Sequence, residues 1–260
     1  MRNHFLRAGG VPSSGDGTFG GVTTNLTTHW DFGNSSSYSG SGSTVTDLSG
    51  NGNHGTLQNT SNISYSSNDG GHIVFDPSAS SNYPYIERPD TIKDIGTGDF
   101  TLELWFNPSW SGSNTSLFRN LPNTSSPFAE NFSFYIREGQ IRVSSWLTAT
   151  DSTTNGEWYY PDSSSEDNDG TSVYSTGYQS DYEHLVFSRI GTGNNNMKMY
   201  RNNSLIDTWT NKAQYDDANT NSADEYRSLG RGTNDGLRGK LGIYRLYVGK
   251  GFTSSNVTTN

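Results

Sequence analysis

Asp99-Phe100-Thr101-Leu102-Glu103-Leu104-Trp105-Phe106 alternates residue by residue. Successive side chains of an extended strand point to opposite faces, so Phe100, Leu102, Leu104 and Phe106 share one face and Thr101, Glu103 and Trp105 the other. A helix would scatter the same apolar residues around its axis. The stretch therefore predicts a strand that buries one face, and Glu103 reads as an outward-facing strand residue.

Working outward, the same reading repeats. His72-Ile-Val-Phe-Asp is a short strand, and Phe132-Ser-Phe-Tyr-Ile-Arg with Ile141-Arg-Val-Ser-Ser-Trp-Leu is a hairpin across Glu138-Gly-Gln. His184-Leu-Val-Phe-Ser-Arg and the run from Asn196 to Trp209 give three more strands, the last two joined by a turn at Asn202-Asn203-Ser204. Arg227-Ser-Leu-Gly-Arg and Gly239-Lys-Leu-Gly-Ile-Tyr-Arg-Leu-Tyr-Val-Gly close the chain. At roughly 5–6 residues per strand this makes on the order of a dozen strands, with no long amphipathic helix and no internal repeat. The prediction is an all-β, two-sheet antiparallel sandwich over residues 25–260, with a polar insertion around 150–180. Residues 1–24, rich in Gly and Ser, read as an extended N-terminal arm. Phe5, Leu6 and Phe19 are its candidate anchors into a partner; the alternative is an unanchored tail.

Composition agrees. Hydrophobic residues make up 30% and aromatics 13%, with 15 Tyr, 12 Phe and 6 Trp, which suits strands wet on one side rather than a helical bundle. Only 17% are charged; Ser, Thr, Asn and Gly supply the polarity, as in a turn-rich chain. The net charge of −9 argues against nucleic-acid partners and is compatible with cations such as calcium. With no Cys there is neither a disulfide framework nor a thiolate metal site. The first residues, Met-Arg-Asn-His-Phe-Leu-Arg-Ala-Gly-Gly, lack the apolar run of a signal peptide, and no stretch reaches the roughly 18 apolar residues of a membrane helix. The expectation is synthesis in the cytosol and no membrane insertion. Sequons at Asn25, Asn59, Asn114 and Asn256 are read as chance in a chain this rich in Asn, Ser and Thr.

The stretch from Trp30 to Leu57, Trp-Asp-Phe-Gly-Asn-Ser-Ser-Ser-Tyr-Ser-Gly-Ser-Gly-Ser-Thr-Val-Thr-Asp-Leu-Ser-Gly-Asn-Gly-Asn-His-Gly-Thr-Leu, resembles the opening of laminin-G-like (concanavalin-A-like) jelly-roll domains. The likeness is to the version found in bacteriophage tail and capsid-associated proteins. It continues in order through Gly71-His-Ile-Val-Phe-Asp, Asp99 to Phe106, His184 to Arg189, Met199-Tyr-Arg-Asn-Asn and Gly239 to Tyr247, over about residues 26–255. Two departures stand out. The 150–180 insertion is longer than the pattern needs, and Gly242-Ile-Tyr-Arg is basic where the family often carries an acid. The resemblance implies a structural or appendage protein on a virion surface, made in the host cytoplasm. Its partners would be other virion proteins, further copies of itself and, through adhesion, host surface glycans. A carbohydrate-binding lectin-like module is the alternative, because this fold carries many functions.

Candidate chemistry is sparse. Glycoside hydrolysis needs two carboxylates flanking the bond, about 5–9.5 Å apart. The related sandwich glucanases resembled by this fold set theirs as Glu-x-Asp-x-x-Glu, which is absent, and Glu103 stands alone between leucines. No Gly-x-Ser-x-Gly elbow, phosphate loop or His-Glu-x-x-His is present. The reading is therefore non-enzymatic, with no catalytic residues. Asp31, Asn34, Asp47, Asn51 and Asn53 offer hard oxygens around turns; calcium takes 6–8 such oxygens, and the resemblance implies calcium in this region. The alternative is that the same residues form Asx turns. Ser165-Glu-Asp-Asn-Asp-Gly opens like an EF-hand loop, but its twelfth position is Thr176 and no helices flank it. Trp110, Trp158, Tyr159 and Tyr160, in or beside polar segments, are the candidate sugar-binding aromatics.

Overall fold

A computed structural model describes residues 21–76, 83–89, 98–110, 115–121, 131–137, 140–146, 157–159, 177–178, 182–191, 196–209, 226–229 and 236–259. The arm with Phe5, Leu6 and Phe19 lies outside these residues. The strands are β1 (Leu26–Asp31), β2 (Thr44–Val45), β3 (Gly55–Gln58), β4 (Ile63–Ser66), β5 (His72–Phe75), β6 (Tyr85–Glu87), β7 (Phe100–Trp110), β8 (Thr115–Leu121), β9 (Asn131–Arg137), β10 (Gln140–Trp146), β11 (Glu157–Tyr159), β12 (Gly177–Tyr178), β13 (Glu183–Arg189), β14 (Met197–Arg201), β15 (Ser204–Trp209), β16 (Tyr226–Leu229) and β17 (Gly239–Val248). One short helix, α1 (Ser254–Thr259), follows. The strands exceed the expected dozen because short ones such as β2, β11 and β12 carry too little pattern to be read singly.

All pairings described are antiparallel. One sheet runs β15-β14-β13-β7-β17-β5-β4, with β1 also on β17 and β12 on β7; the other runs β11-β10-β9-β8-β16-β6-β3-β2. The protein is an all-β, two-sheet sandwich. Phe100, Leu102, Leu104 and Phe106 join Leu57, Ile86, Leu117, Phe134 and Leu229 of the opposite sheet in one core. The ring centroids of Phe134 and Phe187 meet across the sheets at 3.9 Å. Gly55 sits so close to Trp30 that a Cβ there would lie 2.8 Å from the indole, so the residue has to be glycine. Each large side chain moved from water into this core contributes about 1.5–3 kcal/mol.

The first sheet is covered on its outer face as well. Phe252 and Val257 fold back onto Val186, Tyr200 and Tyr247, with Val22 and Leu26 packed alongside. Phe252 N–H donates to Ser188 Oγ at 2.6 Å and anchors this segment. The expected turn at Asn202-Asn203 is present, with φ of 50° and 68°, the left-handed pair that a tight hairpin favours.

Candidate binding site

Three arrangements of polar and aromatic residues stand out. The first is a turn hub on Asp47. Its Oδ1 accepts the N–H groups of His29 (2.8 Å) and Ser49 (2.9 Å), and its Oδ2 accepts Ser49 Oγ–H (2.7 Å) and Asn53 N–H (2.9 Å). Four donors match the roughly four acceptor positions of a carboxylate, which makes Asp47 the hub of the turn. Asn51 Nδ2 donates to Leu26 O at 2.9 Å and Asn53 Nδ2 to Thr27 O at 2.7 Å, which ties the turn to β1. Asp31 and Asn34 shape the neighbouring turn: Asp31 Oδ1 accepts Gly33 N–H at 2.9 Å, and Asn34 Oδ1 accepts Ser36 N–H at 2.9 Å. Asp31, Asn34 and Asp47 thus each close an Asx turn, while Asn51 and Asn53 tie the Asp47 turn to β1; Ser37 links the two regions, its hydroxyl donating to Thr46 O and accepting Asp31 N–H. Among the described residues no group of three or more His, Asp or Glu side chains is gathered as a metal site.

The second is a buried charge network on the outer face of the first sheet. Glu103 is 0% exposed. Its Oε1 lies 2.7 Å from His184 Nε2, and its Oε2 lies 3.4 Å from both Arg245 and the Tyr247 hydroxyl. His184 stacks on Trp105 at 4.0 Å, Arg245 lies over the same indole at 5.0 Å, and Asn203 Oδ1 meets His184 Nδ1 at 3.0 Å. Burial alone would raise the Glu103 carboxyl, but Arg245 and His184 outweigh it and hold the group below the usual carboxylate range. Glu183 pairs with Arg201 close by in the chain. Glu103 does point away from the core, as its position in the alternation requires, yet it is not solvated.

His29, opposite Arg245 in the β1–β17 register, belongs to the same region. Burial, then Arg245, pushes its imidazole down to about 3, against the weaker pull of Glu103 and Asp47. The folded state therefore holds His29 neutral where the unfolded chain would protonate it. Stability is complete above pH 6.5 and is lost progressively as pH falls from there towards about 3, by about 1.4 kcal/mol per pH unit. Glu103, held low, adds its own loss only below the ordinary carboxylate range. The melting temperature is expected to drop between pH 6.5 and 4.5, and His29→Gln should flatten that drop; an unchanged slope in the variant would contradict it.

The third arrangement lies at the lateral edge of the sandwich, where edge strands β4 and β2 leave the two sheets open. The loop 33–43 crosses from β1 in one sheet to β2 in the other and lays an aromatic ladder across the gap. Phe32, Tyr38 and Tyr65 are 0%, 5% and 36% exposed, so the ladder climbs from core to surface. Consecutive ring centroids are 5.8 and 5.7 Å apart, edge to face. Gly40, at φ +91°, leaves room for the Tyr65 ring: a Cβ there would lie 3.0 Å from it. The Tyr38 hydroxyl donates to Gly42 O at 3.0 Å. Burial, and then the neighbouring Tyr65 hydroxyl, raises Tyr38 above the ordinary phenol. Tyr65 is thus an exposed aromatic fixed in place and bordered by Ser, Asn and Gly.

Tyr38 and Tyr65 were not among the sugar-binding candidates named from sequence. The available signal was a single aromatic in the otherwise small, polar run Ser35 to Ser43. Of the candidates that were named, Trp110 ends β7, its backbone opposite Gly177 of β12. Trp158 and Tyr159 lie in β11, opposite Ser144 and Val143 of β10. These three occupy strands rather than loops, in keeping with the strand preference of aromatics. Tyr160 lies outside the described residues.

No family model matches the chain, and no curated protein matches it. Solved structures share its fold. Domain 4 of AbnA, a GH43 extracellular arabinanase from Geobacillus stearothermophilus solved in complex with arabinotriose, is 20% identical with a TM-score of 0.58; the match covers 90% of this chain and 97% of that one. The binding domain of Paraclostridial Mosquitocidal Protein 1 is 16% identical with a TM-score of 0.56, over 90% of this chain and 51% of that one. The binding domain of Botulinum Neurotoxin DC, in complex with SialylT, is 8% identical with a TM-score of 0.56, over 90% and 50%. The chain spans about half the length of the two toxin domains. These likenesses show the β-sandwich fold.

Proposed function

We propose that this chain is a non-enzymatic, lectin-like binding module that takes a glycan at the Tyr65 ledge. The observation that carries the reading is the ladder Phe32–Tyr38–Tyr65, which presents a rigid ring beside hydroxyl groups. Sugar recognition uses an aromatic face for the ring's C–H groups and nearby polar atoms for its hydroxyls. A preorganised ring loses little conformational freedom on binding. The arabinotriose and SialylT complexes of the similar sandwiches support the same reading. So does the state of the best-placed carboxylates: Glu103 and Asp47 are committed to internal partners, which suits a scaffold better than a pair of catalytic acids.

The phage-like virion appendage that the sequence resemblance implies fits this reading as a place of display. The similar sandwiches support binding more than a purely structural part. Calcium has no role in the proposal. On a broad glycan array, wild-type protein is expected to give discrete positives that Tyr65→Ala weakens by about tenfold or more, equivalent to about 1.4 kcal/mol. A folded wild type that is silent on the array would contradict the module.

A further inference from the structure

We infer that the Tyr65 ledge selects uncharged saccharides and discriminates against acidic ones. This rests on the reading of the domain as a glycan-binding module and names the ligand class at the same site. The decisive feature is charge. Between Arg7 and Arg88 the sequence has no Lys or Arg. Every described residue that frames the ledge falls in that interval: the loop 33–43, β4 and the turn 67–71. The carboxyl side chains in that interval include Asp69 in the turn that follows β4, Asp31 at the end of β1 and Asp47 in the turn after β2.

Basic residues on the adjoining strands face elsewhere. Tyr65 lies opposite Ile73, which lies opposite Leu241, and both are core residues. Lys240 aligns instead with Val74 and Ser64, one position out of phase, and so sits on the other face of the sheet. Recognition of a sialic or uronic carboxylate draws on Arg or Lys, whose charge-assisted hydrogen bonds repay its desolvation. Here a carboxylate would meet a ring, neutral hydroxyls and a like-signed field. A neutral sugar needs only what is present: the Tyr65 face for stacking, and the exposed loop Ser groups for its own hydroxyls.

The test titrates the full chain, by calorimetry at low and at physiological salt, with neutral pentose and hexose trisaccharides and with sialyllactose. Tyr65→Ala and Tyr65→Phe are measured alongside. The expected result is binding of a neutral trisaccharide that Tyr65→Ala weakens at least tenfold and Tyr65→Phe by less than about threefold, with sialyllactose at least tenfold weaker. Sialyllactose bound as tightly as the neutral sugar, and lost in Tyr65→Ala, would overturn the ligand class and leave the module standing. Neutral binding unaffected by Tyr65→Ala would overturn the ledge as the site. No binding of any sugar by folded protein would overturn the module itself.

Discussion

Replacing Glu103 with alanine is expected to lower the free energy of unfolding by about 3–5 kcal/mol. The cost comes less from the lost contacts than from what stays behind. Arg245 would lose the buried carboxylate that faces it, and His184 its ring-nitrogen partner, in a region where Glu103 is 0% exposed. Breaking a buried hydrogen-bonded charge network is among the few mechanisms that make a single substitution this severe. A chain of this length should lose roughly 2–4 °C of melting temperature per kcal/mol. Glu87→Ala is the matched control, because that carboxylate is exposed and accepts only Gln58 Nε2–H; its effect should stay within about 0.5 kcal/mol. Adding Arg245→Ala to Glu103→Ala should cost less than the sum of the single changes, because the pair fails together. A Glu103→Ala effect below about 1 kcal/mol by urea unfolding would show that the network is not the keystone of the outer face.

The second large effect is expected at Asp47. Asp47→Ala removes four acceptances at once and leaves the buried N–H groups of His29 and Asn53 without their carboxylate. Each unsatisfied buried donor costs about 1–3 kcal/mol, so a loss of about 3 kcal/mol is expected, with Asp47→Asn intermediate because one oxygen acceptor remains. The same experiment addresses calcium. If Asp47 acts only as a turn hub, wild type should melt at the same temperature in EDTA and in millimolar calcium. A calcium-dependent rise abolished by Asp47→Ala would instead place a cation at that carboxylate.

Much of the sandwich was legible in the sequence because its logic is local. The alternation from Phe100 to Phe106 assigns each side chain to a face without knowledge of any partner strand. The left-handed Asn202-Asn203 pair announces a hairpin by its chemistry alone. What could not be read was the second cover on the first sheet. Alternation describes a strand with one wet face, so Glu103 and Trp105 looked solvated. Phe252, Val257 and Val22, drawn from both ends of the described chain, close over Tyr247 beside Glu103, while Trp105 packs with Ile243 and Tyr182. No periodicity reports where a terminal segment will dock.

The site shows the same division. The Asp47 and Asn53 turn was visible as a cluster of oxygen donors, but a sequence does not say whether those oxygens face a cation or backbone N–H groups. The ledge was hidden for a different reason. Tyr38 and Tyr65 are 27 positions apart and become one surface only when the loop 33–43 crosses between the sheets. The aromatic run near Trp158 carries the stronger local signal.

The central claim is that a sugar ring lies on Tyr65, and NMR of the tyrosine ring protons during titration with a bound neutral trisaccharide tests it most directly. The expected result is saturation transfer from the sugar to Tyr65, shifts at Tyr65 and Tyr38, and loss of both in Tyr65→Ala. Saturating binding that leaves the Tyr65 and Tyr38 signals in place would contradict it.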